Sequence, residues 1–355
     1  MELETIAIHA GNLIAPGGAA IQPITLSTTF QRDAAGAYPS GYMYTRISNP
    51  NRVALENVLA MLEKGEDACA FSSGNAAGSA VFQALEPGSH VIAPVDMYHG
   101  LRNQLKVVYK GILEVEFVDM SDLEAVKSSI KSNTRLIWIE TPSNPLLLIS
   151  DIEAICNLVK DSDVKVCCDN TFATPVFQNP LQLGADLVMH STTKYLGGHS
   201  DALGGGLITN KKDAFWDKVR AVQEHSGAVI SPFDCYLTIR GIKTLPYRMR
   251  GHDANAKQLV AFLKSHVEVE DVFYPGFGGM LSFTTKGGEE RAKKVANSTQ
   301  IFIQATSLGG VESLIEHRAS IEGPDTKTPR NLLRVSVGLE HVDDLIADLN
   351  NALTA

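Results

Sequence analysis

Apolar residues recur along this chain in two rhythms. Short apolar runs come first: ACAF (68–71), HVIA (90–93), EVEFV (114–118), RLIWIE (135–140), VKVCCD (164–169), DLVMH (186–190) and GLIT (206–209). Between them lie segments with helical spacing, such as DLEAVKSSIKS (122–132) and IEAICNLVKDS (152–162). An earlier helical pattern starts near Arg52, with Val53, Leu55, Val58, Leu59 and Leu62 apolar around Glu56 and Glu63. Short apolar strands alternating with amphipathic helices predict parallel βαβ units, hence an α/β fold with a mostly parallel central sheet flanked by helices. From Leu237 the texture changes. A long helical stretch (244–265) precedes the short strands MLSFTT, IFIQATS and LLRVSVG, followed by the amphipathic DDLIADLNNAL. The first fifty residues are poor in periodicity and rich in Gly, Pro, Ser and Thr, which reads as an extended arm. The expected organisation is an N-terminal arm over 1–50, an α/β domain over 51–236 and a smaller α+β C-terminal domain over 237–355.

Composition narrows the function classes. The 355 residues are 44% hydrophobic and 20% charged, enough to bury a large core, and low-complexity disorder is excluded. With 31 basic against 40 acidic residues the formal net charge is −9, so neither nucleic acid nor an anionic membrane surface is an expected partner. No apolar window approaches the length of a spanning helix, and MELETIAIHAGN has acids where a signal peptide would place basic residues. A cytoplasmic location is expected. The five cysteines, Cys69, Cys156, Cys167, Cys168 and Cys235, are odd in number and form no CxxC, so they read as buried thiols. No HExxH, paired-His or Cys/His spacing supports a metal.

In open α/β sheets ligands sit at the carboxyl ends of strands, so the polar residues after each strand are the ones to weigh. After ACAF comes Ser72-Ser73-Gly74-Asn75, a small-residue turn opening a helix whose backbone N–H groups favour a phosphate. Tight strand-to-helix turns use glycine for geometric reasons too. After RLIWIE comes Thr141-Pro142-Ser143-Asn144-Pro145; after VKVCC comes Asp169-Asn170-Thr171. After DLVMH comes Ser191-Thr192-Thr193-Lys194, flanked by apolar residues on one side and glycines on the other. Most lysines are solvated surface charges; a desolvated one is pushed toward its neutral, nucleophilic form, as attachment to an aldehyde cofactor requires. Asp169 could hold a pyridinium nitrogen protonated. Lysine, aspartate and phosphate cradle together match the needs of pyridoxal 5′-phosphate (PLP).

The chain resembles the Cys/Met-metabolism (trans-sulfuration) family of PLP-dependent enzymes along nearly its whole length. The resemblance rests on QPITLSTTF, YTRISNPNR, SSGNAA, DMYHG, ETPSNP, CDNTFATP, HSTTKYLGGHSDALGG, SPFDCYLTIRGIKTL, GFGGMLSF, SLGGVESL and LLRVSVGLE. It implies the fold type I architecture of PLP-dependent transferases and a homotetramer built from two active-site dimers. Position by position, it implies that Lys194 carries the cofactor and then moves protons, and that Asp169 partners the pyridine nitrogen. It further implies phosphate ligands at Gly74 and Asn75 (through backbone N–H), Ser191 and Thr193, with Tyr98 stacking on the cofactor and assisting proton transfer. Tyr44 and Arg46 would reach the phosphate of a neighbouring subunit. Arg334, helped by Asn144 and Ser307, would clamp the α-carboxylate of an amino-acid substrate; an ion pair at a sheet edge is the plainer reading of that arginine. His190 and His199 read as hydrogen-bonded supports of the lysine loop.

The implied reaction is at Cγ of a homoserine-derived amino acid. Replacement of an acyl group by cysteine, as in cystathionine γ-synthase, stands ahead of γ-elimination to cysteine, 2-oxobutyrate and ammonia, as in cystathionine γ-lyase. Methionine γ-lyase, cystathionine β-lyase and O-acylhomoserine sulfhydrylase follow. Three departures from the family pattern bear on this. Thr306 stands before SLGG where many γ-synthases and γ-lyases have Glu, which weakens recognition of the distal amino group of cystathionine. Tyr98 is followed by His99-Gly100-Leu101, against a methionine γ-lyase. YPG (274–276) runs almost directly into FGGMLSF, where relatives usually carry a longer loop.

Overall fold

The computed structural model describes residues 1–12, 18–322 and 328–355; the part of the expected arm at 13–17 lies outside them. Seven strands build the larger sheet: β1 (Asp67–Phe71), β2 (His90–Pro94), β3 (Glu114–Val118), β4 (Thr134–Glu140), β5 (Lys165–Asp169), β6 (Leu187–His190) and β7 (Gly205–Thr209). Their order is β1-β7-β6-β5-β4-β2-β3. The five strands from β3 to β6 are parallel, as expected. β7 is antiparallel to both β6 and β1, because the link from His190 to Gly205 holds no crossover helix.

The apolar runs of the interior strands are continuous because each feeds two cores. Leu136 and Trp138 face the helix Gly74–Gln83 with Val91, Ala93 and Cys167. Ile137 and Ile139 face the helix Ile152–Val159 with Ile92, Val166 and Cys168. This is the two-residue alternation of a strand buried on both faces. A third cluster joins the helices Pro50–Leu62 and Pro232–Ile242 to the sheet through Leu55, Leu59 and Ile208.

The smaller sheet comprises β8 (Val269–Phe273), β9 (Met280–Thr285), β10 (Ile303–Gln304), β11 (Leu314–His317) and β12 (Leu332–Ser336), in the order β10-β11-β12-β9-β8. The run IFIQATS yields only two strand residues. The carboxylate of Asp348 accepts from the backbone N–H of Gln300, Ile301 and Phe302, which withdraws them from a ladder. The short link from β8 to β9 is closed by Asp253, whose Oδ1 accepts from Tyr274 Oη at 3.3 Å and from Gly278 N at 3.0 Å.

The first fifty residues differ from the expected arm at their start. Leu3–His9 is a helix that packs on Pro50–Leu62 and Leu245–Ser265, with Arg250 donating to Glu4 at 2.7 Å. Residues 18–48 contain neither helix nor strand beyond an isolated bridge between Thr29 and Tyr44. No helix among the described residues is long and apolar enough to cross a membrane.

Candidate active site

The carboxyl ends of β1, β4, β5 and β6 open on one cavity of about 250 Å³, closed on its other side by the β10–β11 connection and by β12. Ten of the twelve residues singled out from the sequence line it: Gly74, Asn75, Tyr98, Asn144, Asp169, Ser191, Thr193, Lys194, Ser307 and Arg334. The other two do not. Tyr44 is 42% exposed, and Arg46 lies against its ring and donates to the carbonyl of Glu224 at 2.7 Å.

At one end of the cavity the helix Gly74–Gln83 begins. Ser73 caps it, its hydroxyl accepting from Ala76 N at 3.1 Å. The N–H groups of Gly74 and Asn75 come before the first helical acceptor and carry the positive end of the helix dipole. A Cβ on Gly74 would lie 2.9 Å from Ser191 Cβ, so only glycine lets the loop after β6 approach this helix start. Thr193 is fixed there by Gly204, whose N–H donates to its hydroxyl at 3.1 Å. Two backbone donors and two hydroxyls thus converge, a donor set that suits a phosphate dianion.

At the other end lies Asp169, the last residue of β5. Burial raises its pKa, while Thr171 opposes this: its hydroxyl donates to Oδ1 at 2.5 Å and its N–H at 3.0 Å; nearby His190 also lowers it. Glu140 stands opposite Asp169 in the β4–β5 register and accepts from Tyr98 N at 2.8 Å. Burial first, and then the neighbouring Asp169, push the Glu140 carboxyl well above the usual carboxylate range, with the Tyr98 N–H opposing. Glu140 was missed in the sequence because it reads as the end of a strand; an acid closing an otherwise apolar run was the available signal.

Lys194 lies in the turn after β6, where its N–H donates to Ser191 O at 3.2 Å. Its Nζ donates to Ser307 Oγ at 2.7 Å. Burial, then the positive charges of Arg334 and Arg318 against the partial compensation of Glu316, bring its pKa down to about 8. That is the desolvated, nucleophilic amine the sequence suggested. Ser307 sits in the SLGG turn, where Gly309 has φ +77° and a Cβ would stand 2.7 Å from Tyr195 N.

Arg334 occupies β12, an interior strand of its sheet and not an edge. It donates to Asn144 Oδ1 at 3.1 Å, to Ser307 O at 2.9 Å and to Glu316 Oε2 at 2.8 Å across the β11–β12 register. Asn144 and Ser307 are therefore its direct contacts. Arg318, which no motif flagged, also donates to Glu316 Oε2 at 2.8 Å and to Glu322 at 3.0 Å. Thr306 donates to the other Glu316 oxygen at 2.5 Å. His199 Nδ1 donates to Gly197 O at 2.9 Å, and His190 Nε2 lies 2.6 Å from Glu63 Oε1.

The donor set and its ordering fit PLP: a dianion cradle at one end, a carboxylate at the other and a low-pKa amine beside them. Comparison with known proteins agrees. The family model described as Cys/Met metabolism PLP-dependent enzyme matches residues 4–354. A cystathionine gamma-synthase of Mycobacterium tuberculosis is 46% identical over 373 aligned positions, covering 98% of this chain and 96% of that protein. A cystathionine gamma-lyase of Bacillus subtilis is 41% identical, covering 99% of each. Among solved structures, metB from Corynebacterium glutamicum superposes with a TM-score of 0.96 at 44% identity, covering 100% of this chain and 98% of that one.

Proposed function

The chain belongs to the Cys/Met metabolism family of PLP-dependent trans-sulfuration enzymes, and from that premise we propose that it replaces the acyl group of an acylated homoserine with cysteine. When bound, PLP supplies an aldehyde for the substrate nitrogen and a ring that takes up negative charge developing at Cα. The residues of this chain do the rest. Gly74, Asn75, Ser191 and Thr193 hold the phosphate, and Asp169 holds the ring nitrogen. Arg334 grips the α-carboxylate with two N–H groups, and Asn144 and Ser307 keep its fork in plane. With PLP bound, Lys194 would take the proton from the substrate Cα and carry protons on at Cβ; an amine near pKa 8 is well matched to that work. Tyr98 covers the ring and assists at the departing group.

The observation that carries the replacement reading is the state of Glu316. Both its oxygens are engaged, by Thr306, Arg318 and Arg334. Among the described residues, the carboxyl groups lining the cavity are Glu140 and Asp169, both at the sheet end. The distal ammonium of cystathionine therefore meets no carboxylate on the wall, which favours release of that product over its cleavage. The greater identity to the synthase than to the lyase supports the same reading. Mass spectrometry of products separates the alternatives. PLP-loaded enzyme is expected to form cystathionine from acylated homoserine and cysteine, and to release little cysteine or 2-oxobutyrate from cystathionine alone. Rapid release of cysteine with 2-oxobutyrate would make it a γ-lyase, and homocysteine with pyruvate a β-lyase.

The proposed active unit is a dimer, two of which form a tetramer working in the cytoplasm, where five free thiols persist. The supporting observation is the stretch 18–48, which leaves Ile21, Leu26 and Met43 exposed with no sheet or helix of its own. Lying on a second copy, it would bring Tyr44 and Arg46 to that copy's phosphate. Arg46→Ala is then expected to weaken PLP retention on dialysis, and mixing it with Lys194→Ala to restore part of the activity. No recovery after confirmed subunit exchange would remove the trans role.

A further inference from the structure

Arg334 shares its counter-ion. The Oε2 of Glu316 accepts from Arg334 Nη2 and from Arg318 Nη1, each at 2.8 Å, while Thr306 holds the other oxygen. Arg318 opens the short helix Arg318–Glu322, and Glu322 returns one turn later on the same face. There Glu322 Oε1 accepts from Arg318 Nη2 at 3.0 Å and from its Nε at 3.2 Å. The end of β11 and one helical turn thus set four charges in a row of alternating sign: Arg334, Glu316, Arg318 and Glu322. Each of the first three is 4% exposed, so water screens them little.

The row is polarised. Its positive end, Arg334, lines the active-site cavity, and its negative end, Glu322, lines the neighbouring cavity that shares Asn144 with the first. Paired with Glu316 alone, Arg334 would form a neutral couple. An arriving carboxylate would then feel the attraction of one partner and the repulsion of the other at short range. Arg318 changes that balance, because two guanidinium groups now stand against one carboxylate oxygen. The direction of the Glu316 pKa agrees: burial raises it, and Arg334 and then Arg318 more than offset this, leaving it below the ordinary value. Arg318 itself borders the cavity, yet each of its three side-chain nitrogens donates to Glu316 or Glu322.

We propose that Arg318 is a positioning residue for the substrate carboxylate: by sharing Glu316, it leaves the charge of Arg334 to the α-carboxylate. The inference rests on the reading that Arg334 is the carboxylate clamp. It makes the strength of that clamp depend on a side chain that reaches it only through Glu316.

The test is a double-mutant cycle read by calorimetric titration of holoenzyme with L-norvaline, an amino acid without a leaving group, and with its α-amide. Wild type is expected to prefer the acid, and Arg334→Leu to treat acid and amide nearly alike. Arg318→Gln should bind the acid roughly tenfold more weakly, within the range of couplings between groups in contact, and the amide as wild type does. Arg318→Lys, which restores the charge, should recover most of the loss. In a Glu316→Gln background Arg318→Gln should change little, because the charge it shares is gone. Should Arg318→Gln not accumulate as folded protein, Arg318→Gln with Glu322→Gln removes one charge of each sign and is read in the same way. If Arg334→Leu loses the preference for the acid while the Arg318 variants keep it, the inference alone is overturned. Equal losses on acid and amide, or a loss on the acid that persists without Glu316, overturn it too: the first makes Arg318 structural, the second puts it on the ligand directly. If wild type shows no preference, or Arg334→Leu keeps it, the clamp reading falls and the inference with it.

Discussion

Lys194→Ala is expected to lower turnover by about 10⁴-fold or more while leaving the fold and the phosphate cradle in place. A positioned proton-transfer group alone contributes about 10²–10⁴-fold, and in the proposed function the same amine is also the attachment point for the cofactor. Little structural depends on its side chain: among the described residues the amine's one hydrogen bond is the 2.7 Å contact with Ser307 Oγ, and it makes no ion pair within 4.0 Å. The variant should still take up PLP, but the bound cofactor should no longer be fixed to the chain by borohydride. Turnover retained at more than a hundredth of wild type would remove the role assigned to Lys194.

The same lysine makes a stability prediction. In the folded, cofactor-free chain its pKa is about 8, against 10.5 unperturbed. Below about pH 8 both folded and unfolded chains carry the ammonium, and the cost of burying it is fully present. Between about 8 and 10.5 the folded chain has released a proton that the unfolded chain keeps, so stability from this group rises with pH. Cofactor-free wild type should therefore gain on Lys194→Met between pH 7 and pH 10, by at most about 3 kcal/mol. Urea unfolding at the two pH values reads the difference, and a gap independent of pH would contradict the lowered pKa.

How much of this was legible in the sequence depended on how far apart the interacting residues lie. Most strands of the larger sheet stood out because burial on both faces makes each an unbroken apolar run, while the edge strand β3 showed itself by the alternation of EVEFV. The ends of those strands announced Asp169, Asn144 and Lys194, since a polar residue directly after such a run has only the sheet end to occupy. The direction of β7 was not signalled, because parallel pairing was inferred from intervening helices and the segment 191–204 has none. The helix Ala214–Ser226 buries only Trp216, Val219 and Gln223, too sparse a stripe to declare itself, although Asp213 caps it with bonds to Phe215 N and Trp216 N. Arg318 was illegible for another reason. Glu316 ties it to Arg334 across the β11–β12 register, and no local spacing records that link.

Arg334→Leu is the second large loss expected, about 10²–10³-fold in kcat/KM, or ~3–4 kcal/mol, the scale of removing one partner of a buried, hydrogen-bonded charge pair. The guanidinium is buried and its pKa is brought down to about 10, by burial first and then by Arg318, with Glu316 opposing; it remains a cation at neutral pH. Its removal does not strand Glu316, which keeps Arg318 at 2.8 Å and Thr306 at 2.5 Å, so the fold should tolerate the change. Arg334→Lys restores the charge but not the planar fork that meets Asn144 and Ser307 together, and should fall between the two. Comparing substrates distinguishes a carboxylate clamp from a merely structural cation. Wild type should prefer the free α-carboxylate to its amide by roughly the factor that Arg334→Leu loses, and the variant should treat the two nearly alike, because the contact that told them apart is gone. Equal losses on the carboxylate and the amide would mean that Arg334 acts on the loop around Ser307 and not on the substrate.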